Sequence, residues 1–187
     1  EVTTSTASLE INFLDIGQGD ATFITFSDGQ QMLIDCAIDA RILEALGRAM
    51  PFYDRTIDYL VVTHPDQDHY GGCIDVMERY DVDTIVYTGF EKEESLFYHA
   101  FMDAIAANDA EYYQIAEPEV WQIGSTTISF LYPVTNLMEE PNIPESEKVT
   151  GANNSSIVML LDHGDTEILM TGDAEEEAEE YLLREYG

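Results

Sequence analysis

Residues 57–63, Ile-Asp-Tyr-Leu-Val-Val-Thr, are apolar at nearly every position, and the polar segment His64-Pro65-Asp66-Gln67-Asp68-His69-Tyr70-Gly71-Gly72 follows without a spacer. A strand that buries one face alternates in polarity; one that is apolar on both faces belongs in the middle of a sheet, covered above and below. The run therefore reads as a central strand. It also places the polar segment at a strand end, where open α/β sheets collect their chemistry.

Around this strand the periodicity switches repeatedly. Residues 9–14, 21–26 and 32–34 carry strand-like runs broken by Gly and Asp, which predicts three short antiparallel strands. Ile38, Ile42, Leu43, Leu46 and Met50 then share one helical stripe that Pro51 stops. Beyond the polar segment, residues 72–80 read as a short helix and 83–88 as a strand. Leu96, Phe97, Ala100, Phe101, Ala104 and Ile105 mark an amphipathic helix. Residues 120–132 predict a hairpin turning at Gly124-Ser125, and residues 157–161 and 167–170 a second one through His163-Gly164-Asp165. Ala174, Ala178, Tyr181 and Leu182 stripe a closing helix. Residues 1–8, rich in Ser and Thr, read as a linker or tail before one domain over 9–187, and the Pro- and Glu-rich stretch 137–151 as a mobile loop.

Thirty-eight Asp and Glu oppose seven Lys and Arg, a net charge of −31. Such a field repels nucleic acid and anionic lipid, which excludes a basic nucleic-acid surface. No apolar stretch reaches the roughly 20 residues that cross a bilayer. Two cysteines, Cys36 and Cys73, are too few for a disulfide scaffold or a paired-cysteine zinc cluster. Two buried thiols are the plain reading, and a bridge the minority one that an oxidising compartment would permit.

His64, Asp66, Asp68 and His69 put four potential metal ligands within six residues, using two of the chain's four histidines. Imidazole and carboxylate together suit divalent first-row cations. The competing reading is a polar loop whose Asp side chains make turns and cap the next helix. Asp173, in Thr171-Gly172-Asp173-Ala174, also has two readings: a helix N-cap with Glu176 three residues on, or a carboxylate that reaches the same cleft. Residues 175–180 read as a solvated helix face. Asn153, Asn154 and Ser155 can donate hydrogen bonds to a substrate phosphate, or simply open a polar loop. Gly17-Gln18-Gly19 lacks the spacing of a dinucleotide-binding loop and reads as a tight turn that lets Asp20 approach the cleft. His99 and His163 receive no role, and Trp121 and the tyrosines read as core and rim.

The segment His64-Pro65-Asp66-Gln67-Asp68-His69 resembles the His-x-His-x-Asp-His metal signature of the metallo-β-lactamase fold, with Asp66 in place of the second histidine. Residues 13–21 (Phe-Leu-Asp-Ile-Gly-Gln-Gly-Asp-Ala), Leu33-Ile34-Asp35, Ala152-Asn153-Asn154-Ser155-Ser156 and Leu169-Met170-Thr171-Gly172-Asp173-Ala174 are similar to the C-terminal domain of the competence protein ComEC and its soluble relatives. The similarity extends over residues 9–186. It implies an α/β (in some schemes α+β) αββα sandwich and a site for two divalent ions. It assigns His64 and Asp66 to one ion, Asp68 and His69 to the other, and Asp173 to both, which makes Asp68 and Asp173 the carboxylates closest to catalysis. Asn153-Asn154-Ser155-Ser156 stands where the wider fold carries a histidine of the first site. The histidine that closes the second is expected after Gly187, so the domain is expected to be C-terminally incomplete.

The leading expectation is a metal-dependent hydrolase of phosphodiester bonds, in DNA, single-stranded DNA included, or in another phosphoester. The metals are zinc or manganese, with the extra carboxylate favouring manganese. The rival is a catalytically incomplete module with a structural or interaction role. A lactamase or thioester hydrolase is disfavoured by both histidine replacements. An extracytoplasmic location, secreted or on the outer face of a membrane protein, is favoured.

Overall fold

The computed structural model describes residues 8–140, 142–143 and 150–187. Residues 1–7 of the expected linker, and residues 141 and 144–149 of the expected loop, lie outside the described residues. Where that loop is described, Leu137 and Ile143 are buried.

Six strands form the first sheet: β1 (Glu10–Phe13), β2 (Thr22–Thr25), β3 (Gln31–Ile34), β4 (Thr56–Val61), β5 (Asp81–Tyr87) and β6 (Glu111–Gln114). They lie in chain order, the first three antiparallel as expected and β3 to β6 parallel. β4 is thus a central strand, paired with β3 and β5. Helices α1 (Arg41–Ala49), α2 (Gln67–Tyr70), α3 (Cys73–Arg79) and α4 (Leu96–Ala107) fill the parallel crossovers. Leu60, Val62, Leu33 and Ile85 pack with Ile42, Leu46, Val76 and Phe101 of those helices.

The opposite face meets a second, antiparallel sheet in the order β10-β9-β8-β7, built from β7 (Glu119–Ile123), β8 (Thr126–Tyr132), β9 (Val158–His163) and β10 (Thr166–Met170). Val61, Met32, Ile34 and Val86 interdigitate with Ile128, Phe130, Met159 and Leu161 there. Trp121 joins this layer, its ring about 5 Å from those of Tyr113 and Phe130. Helix α5 (Glu176–Tyr186) completes the αββα sandwich, sharing a cavity with Leu131, Val158 and Leu169. The doubly apolar run is explained: Val62 faces the helices and Val61 the second sheet, each burial stabilising by roughly 1.5–3 kcal/mol.

Three departures from the sequence reading have local causes. β6, Glu-Tyr-Tyr-Gln, went unread because an edge strand half in solvent carries no apolar run. The first helix begins at Arg41, not at Ile38, because Asp35 and Ala37 have φ of 57° and 62° and hold residues 35–40 in an irregular turn. The plain reading of the cysteines is corrected: Cys36 and Cys73 are bridged, with their Cα atoms 5.1 Å apart.

The bridge closes a loop of 37 residues. Chain-entropy reasoning assigns such a crosslink a stabilisation of about 4 kcal/mol, by restricting the unfolded chain. The Cys36→Ser, Cys73→Ser double variant is expected to show a fall of that size in urea-unfolding free energy. A midpoint equal to that of the parent under oxidising conditions would show that the bridge is not formed.

Candidate metal centre

The polar segment leaves the end of β4 and turns at once into α2 and α3. Gly71 and Gly72 allow this: a Cβ on either would sit 2.2 Å from the carbonyl oxygen of Ile38 or Cys36. Three backbone bonds join the layers around the turn, Cys36 N–H to His69 O (2.7 Å), Gly72 N–H to Ala37 O (3.1 Å) and Ala37 N–H to Asp20 O (2.9 Å). The loop after β1 approaches from the other side, where Gly19, at φ +90°, passes so near the Asp68 carbonyl that no side chain fits.

Asp35 sits at the end of β3 and is 2% exposed. Its carboxylate accepts from Thr63 N–H (2.8 Å), Thr63 Oγ1–H (2.7 Å) and His69 Nδ1–H (2.9 Å). The Thr63 hydroxyl has one proton, and a carboxylate can only accept, so that proton goes to Asp35. The hydroxyl oxygen must then accept from His64 Nδ1–H, 3.1 Å away. The tautomer of His64 follows: Nε2 carries a lone pair. That atom is buried and has no hydrogen-bond partner.

A ring nitrogen of His64, a ring nitrogen of His69 and a carboxylate oxygen of Asp173 all lie within 4.8 Å of one another. His69 Nε2 is 3.5 Å from Asp173 Oδ2, and the two imidazole centroids are 4.1 Å apart. Among the described residues this is the His, Cys, Asp or Glu group so arranged. The remaining ligand candidates stand around it. Asp66 Oδ2 is 3.9 Å from His64 Nε2, but its other oxygen is taken by Lys92. Asp68, half-buried, and Asp20, exposed, fall outside the mutually close set.

Asp173 is not the helix cap. α5 starts at Glu176, its N-cap position is Glu175, and Asn154 Oδ1 accepts from the Glu175 N–H at 2.9 Å. Asp173 instead occupies the turn before the helix, its own N–H bonded to Ser156 Oγ (3.1 Å). Asn153 and Asn154 donate to Glu175 and Glu177 at 3.0 and 3.2 Å, and Ser155 Oγ–H donates to the Ala152 carbonyl. The two asparagines thus tie down the segment that carries Asp173, while Ser155 closes its own turn. His99 and His163 bond within their own neighbourhoods, to the Glu93 carbonyl and to Thr126.

The two imidazoles are tuned apart. Burial pushes the His64 pKa down, and the neighbouring His69 adds to this. Burial also opposes charge on His69, but the Asp35 hydrogen bond and charge, with Asp173 and Asp20, outweigh it and raise its pKa to about 9. Asp35 and Lys92 are the site residues that sequence reasoning left without a role. Asp35 stood in the Leu33-Ile34-Asp35 strand end, and only the parallel pairing of β3 with β4 brings it to Thr63.

Comparison with known proteins shows the family and the fold. The metallo-beta-lactamase superfamily profile matches residues 14–186. The chain belongs to that superfamily. It is 26% identical to ComE operon protein 3 of Bacillus subtilis over 93% of its length and 28% identical to Recombination protein 2 of Haemophilus influenzae over 95%. It spans only 23% and 20% of those proteins. The Cronobacter sakazakii metallo-beta-lactamase with a HARLDQ motif superposes with a TM-score of 0.55 at 12% identity, over 89% of this chain and 61% of that one, a likeness of fold.

The metallo-beta-lactamase fold generally houses divalent metals, and the donor set here fits one: an unpartnered buried imidazole lone pair beside a second imidazole and a carboxylate. Before any ion binds, His69 is an imidazolium. Its pKa lies above the ordinary 6.5, so its contribution to stability is complete below about pH 6.5 and is lost as the pH rises through about 9. His64, lowered, acts in the opposite sense, removing stability as the pH falls below the ordinary range. NMR titration of metal-free protein is expected to place His69 near 9. In Asp35→Asn it should return toward 6.5, with the stability loss between pH 7 and 9 flattened. His69 titrating near 6.5 in the parent chain would remove Asp35 from this role.

Proposed function

We propose that this metallo-beta-lactamase superfamily chain is a metal-dependent phosphodiesterase, acting on DNA, including single strands, or on another phosphoester. The observation that carries the metal is the His64 Nε2 lone pair, buried without a partner on a ring whose ligand nitrogen lies within 4.8 Å of those of His69 and Asp173. His64, His69 and Asp173 would hold a divalent ion, with Asp66 and Asp68 the adjacent carboxylates for a second. Manganese or zinc suits this mixed donor set. When bound, such ions supply Lewis acidity toward a phosphoryl oxygen and an activated water.

The chain's own residues do the rest. Asp35 and Thr63 fix both imidazoles through Nδ1 and leave both Nε2 atoms for a cation, so neither ring needs to turn on loading. Asp173 is 44% exposed, the most accessible member of the set, and faces incoming substrate. The phosphoester class is supported by the relatives whose names place them in a ComE operon and in recombination. The Cys36–Cys73 bridge supports an extracytoplasmic location, where disulfides persist.

Hydrolysis of bis-p-nitrophenyl phosphate and of single-stranded DNA is expected with manganese or zinc and is expected to vanish with chelator. His64→Ala and Asp173→Ala should each lower the rate by about 100-fold or more. Asp68→Ala tests the second-ion assignment and should abolish turnover with folding intact. Metal binding without turnover of either substrate would instead favour a non-catalytic module.

A further inference from the structure

The chain's charge poses a problem that the metal ligands alone do not solve. A phosphoester is anionic, and at −31 the protein repels it until something local reverses the field. Among the described residues Lys92 is the basic side chain that touches the candidate centre: its ammonium donates to Asp66 Oδ1. The other described cations with a recorded ionic or ring partner are engaged elsewhere, Arg41 with Asp39, Arg48 with Glu44, Arg55 over the Tyr80 ring, and Arg184 with Glu185 and over the Tyr181 ring.

Lys92 is held where it is by its backbone. It lies in the crossover from β5 to α4, where Phe90 O accepts from the Tyr87 hydroxyl, Phe90 N–H bonds Thr88 Oγ1 (3.2 Å) and Ser95 N–H bonds Lys92 O (2.9 Å). Ser95 then caps α4 by accepting from Tyr98 N–H. Three glutamates, Glu91, Glu93 and Glu94, flank Lys92 in sequence, yet the ammonium reaches across to Asp66, 26 residues away. The pair is partly open to water, at 43% and 30% side-chain exposure. Ion pairs of that kind are weak and exchangeable.

Lys92 holds Asp66 Oδ1 while Oδ2 faces His64 Nε2, so an ammonium and a divalent cation on this carboxylate would share its single negative charge and repel each other, and loading weakens the Lys92 pair. We propose that Lys92 is a metal-gated anion-binding residue: it occupies Asp66 in the metal-free protein and turns to a non-bridging phosphate oxygen once a cation takes that carboxylate. This rests on the phosphoester reading above and deepens it. It makes metal loading and substrate recognition one coupled event, because the group that loses its partner on loading is the cation the anion needs.

Lys92→Met tests it, with Lys92→Arg as the conservative variant and Arg48→Met as a control that removes the same charge from an exposed helical pair. In Mn2+ titrations against a chromophoric chelator, Lys92→Met is expected to bind manganese at least about threefold tighter than the parent, having lost its competitor, while Arg48→Met is unchanged. By calorimetry on manganese-loaded protein, inorganic phosphate should bind roughly tenfold more weakly to Lys92→Met, with affinity retained in Lys92→Arg. In turnover the loss should fall on KM and leave kcat within about threefold. Manganese and phosphate affinities of Lys92→Met equal to those of the parent would reduce the contact to a surface ion pair and overturn the proposal, as would tighter manganese with unaltered phosphate binding. If the parent hydrolyses nothing but both binding arms shift as stated, the phosphodiesterase reading fails and the gated anion site stands.

Discussion

The Asp35 carboxylate is the point on which the centre depends. A carboxylate removed from water costs several kcal/mol unless its lone pairs are filled, and here Thr63 and His69 fill them with three bonds. The same bonds decide the orientation of both imidazoles, one directly and one through the Thr63 hydroxyl. Its backbone sits at φ 57°, a region an Asp tolerates better than most residues, and is held there by Asp35 N–H to Val61 O. The donor arrangement is therefore built into the protein fold before any cation arrives, and the imidazolium of His69 balances the buried carboxylate until then.

What could be read from the sequence follows from what is local. The doubly apolar run at 57–63 announced a central strand, and residue type and spacing announced the ligand segment, because both signals lie within a few positions. Asp35 was visible only as a strand end; its function arises from a strand pairing 28 residues distant. Asp173 shows the converse, since local capping preferences favoured a helix cap. The helix instead starts at Glu176 without a side-chain cap, the Glu175 N–H bonds Asn154 from 21 residues upstream, and the Asp173 carboxylate faces His69. β6 stayed unread because an edge strand with exposed tyrosine and glutamate looks like a loop. Lys92 lies among three glutamates and reads as a solvated charge until the fold sets it against Asp66.

Acidic charge and metal chemistry are linked in this arrangement. Carboxylates crowded around two imidazoles favour cations and disfavour anionic substrates, so a centre made only of acids would bind its metal and repel its phosphoester. One lysine on the rim resolves the conflict if its availability depends on the metal. An always-free ammonium would oppose metal entry; one permanently paired would contribute nothing to anion binding.

The disulfide joins the same two segments that the Asp35–His69 bond joins. Cys36 follows Asp35 directly, Cys73 lies one helical turn beyond His69, and both the Cys36 N–H and the Cys73 sulfur lie against the His69 carbonyl. A crosslink in this place acts through the unfolded chain, whereas the hydrogen bonds act in the folded one. The two contributions are separate. The polar network is thus relieved of holding the layers together by itself, and the imidazole of His69 can exchange its proton for a metal without the segment that carries it coming away from β3.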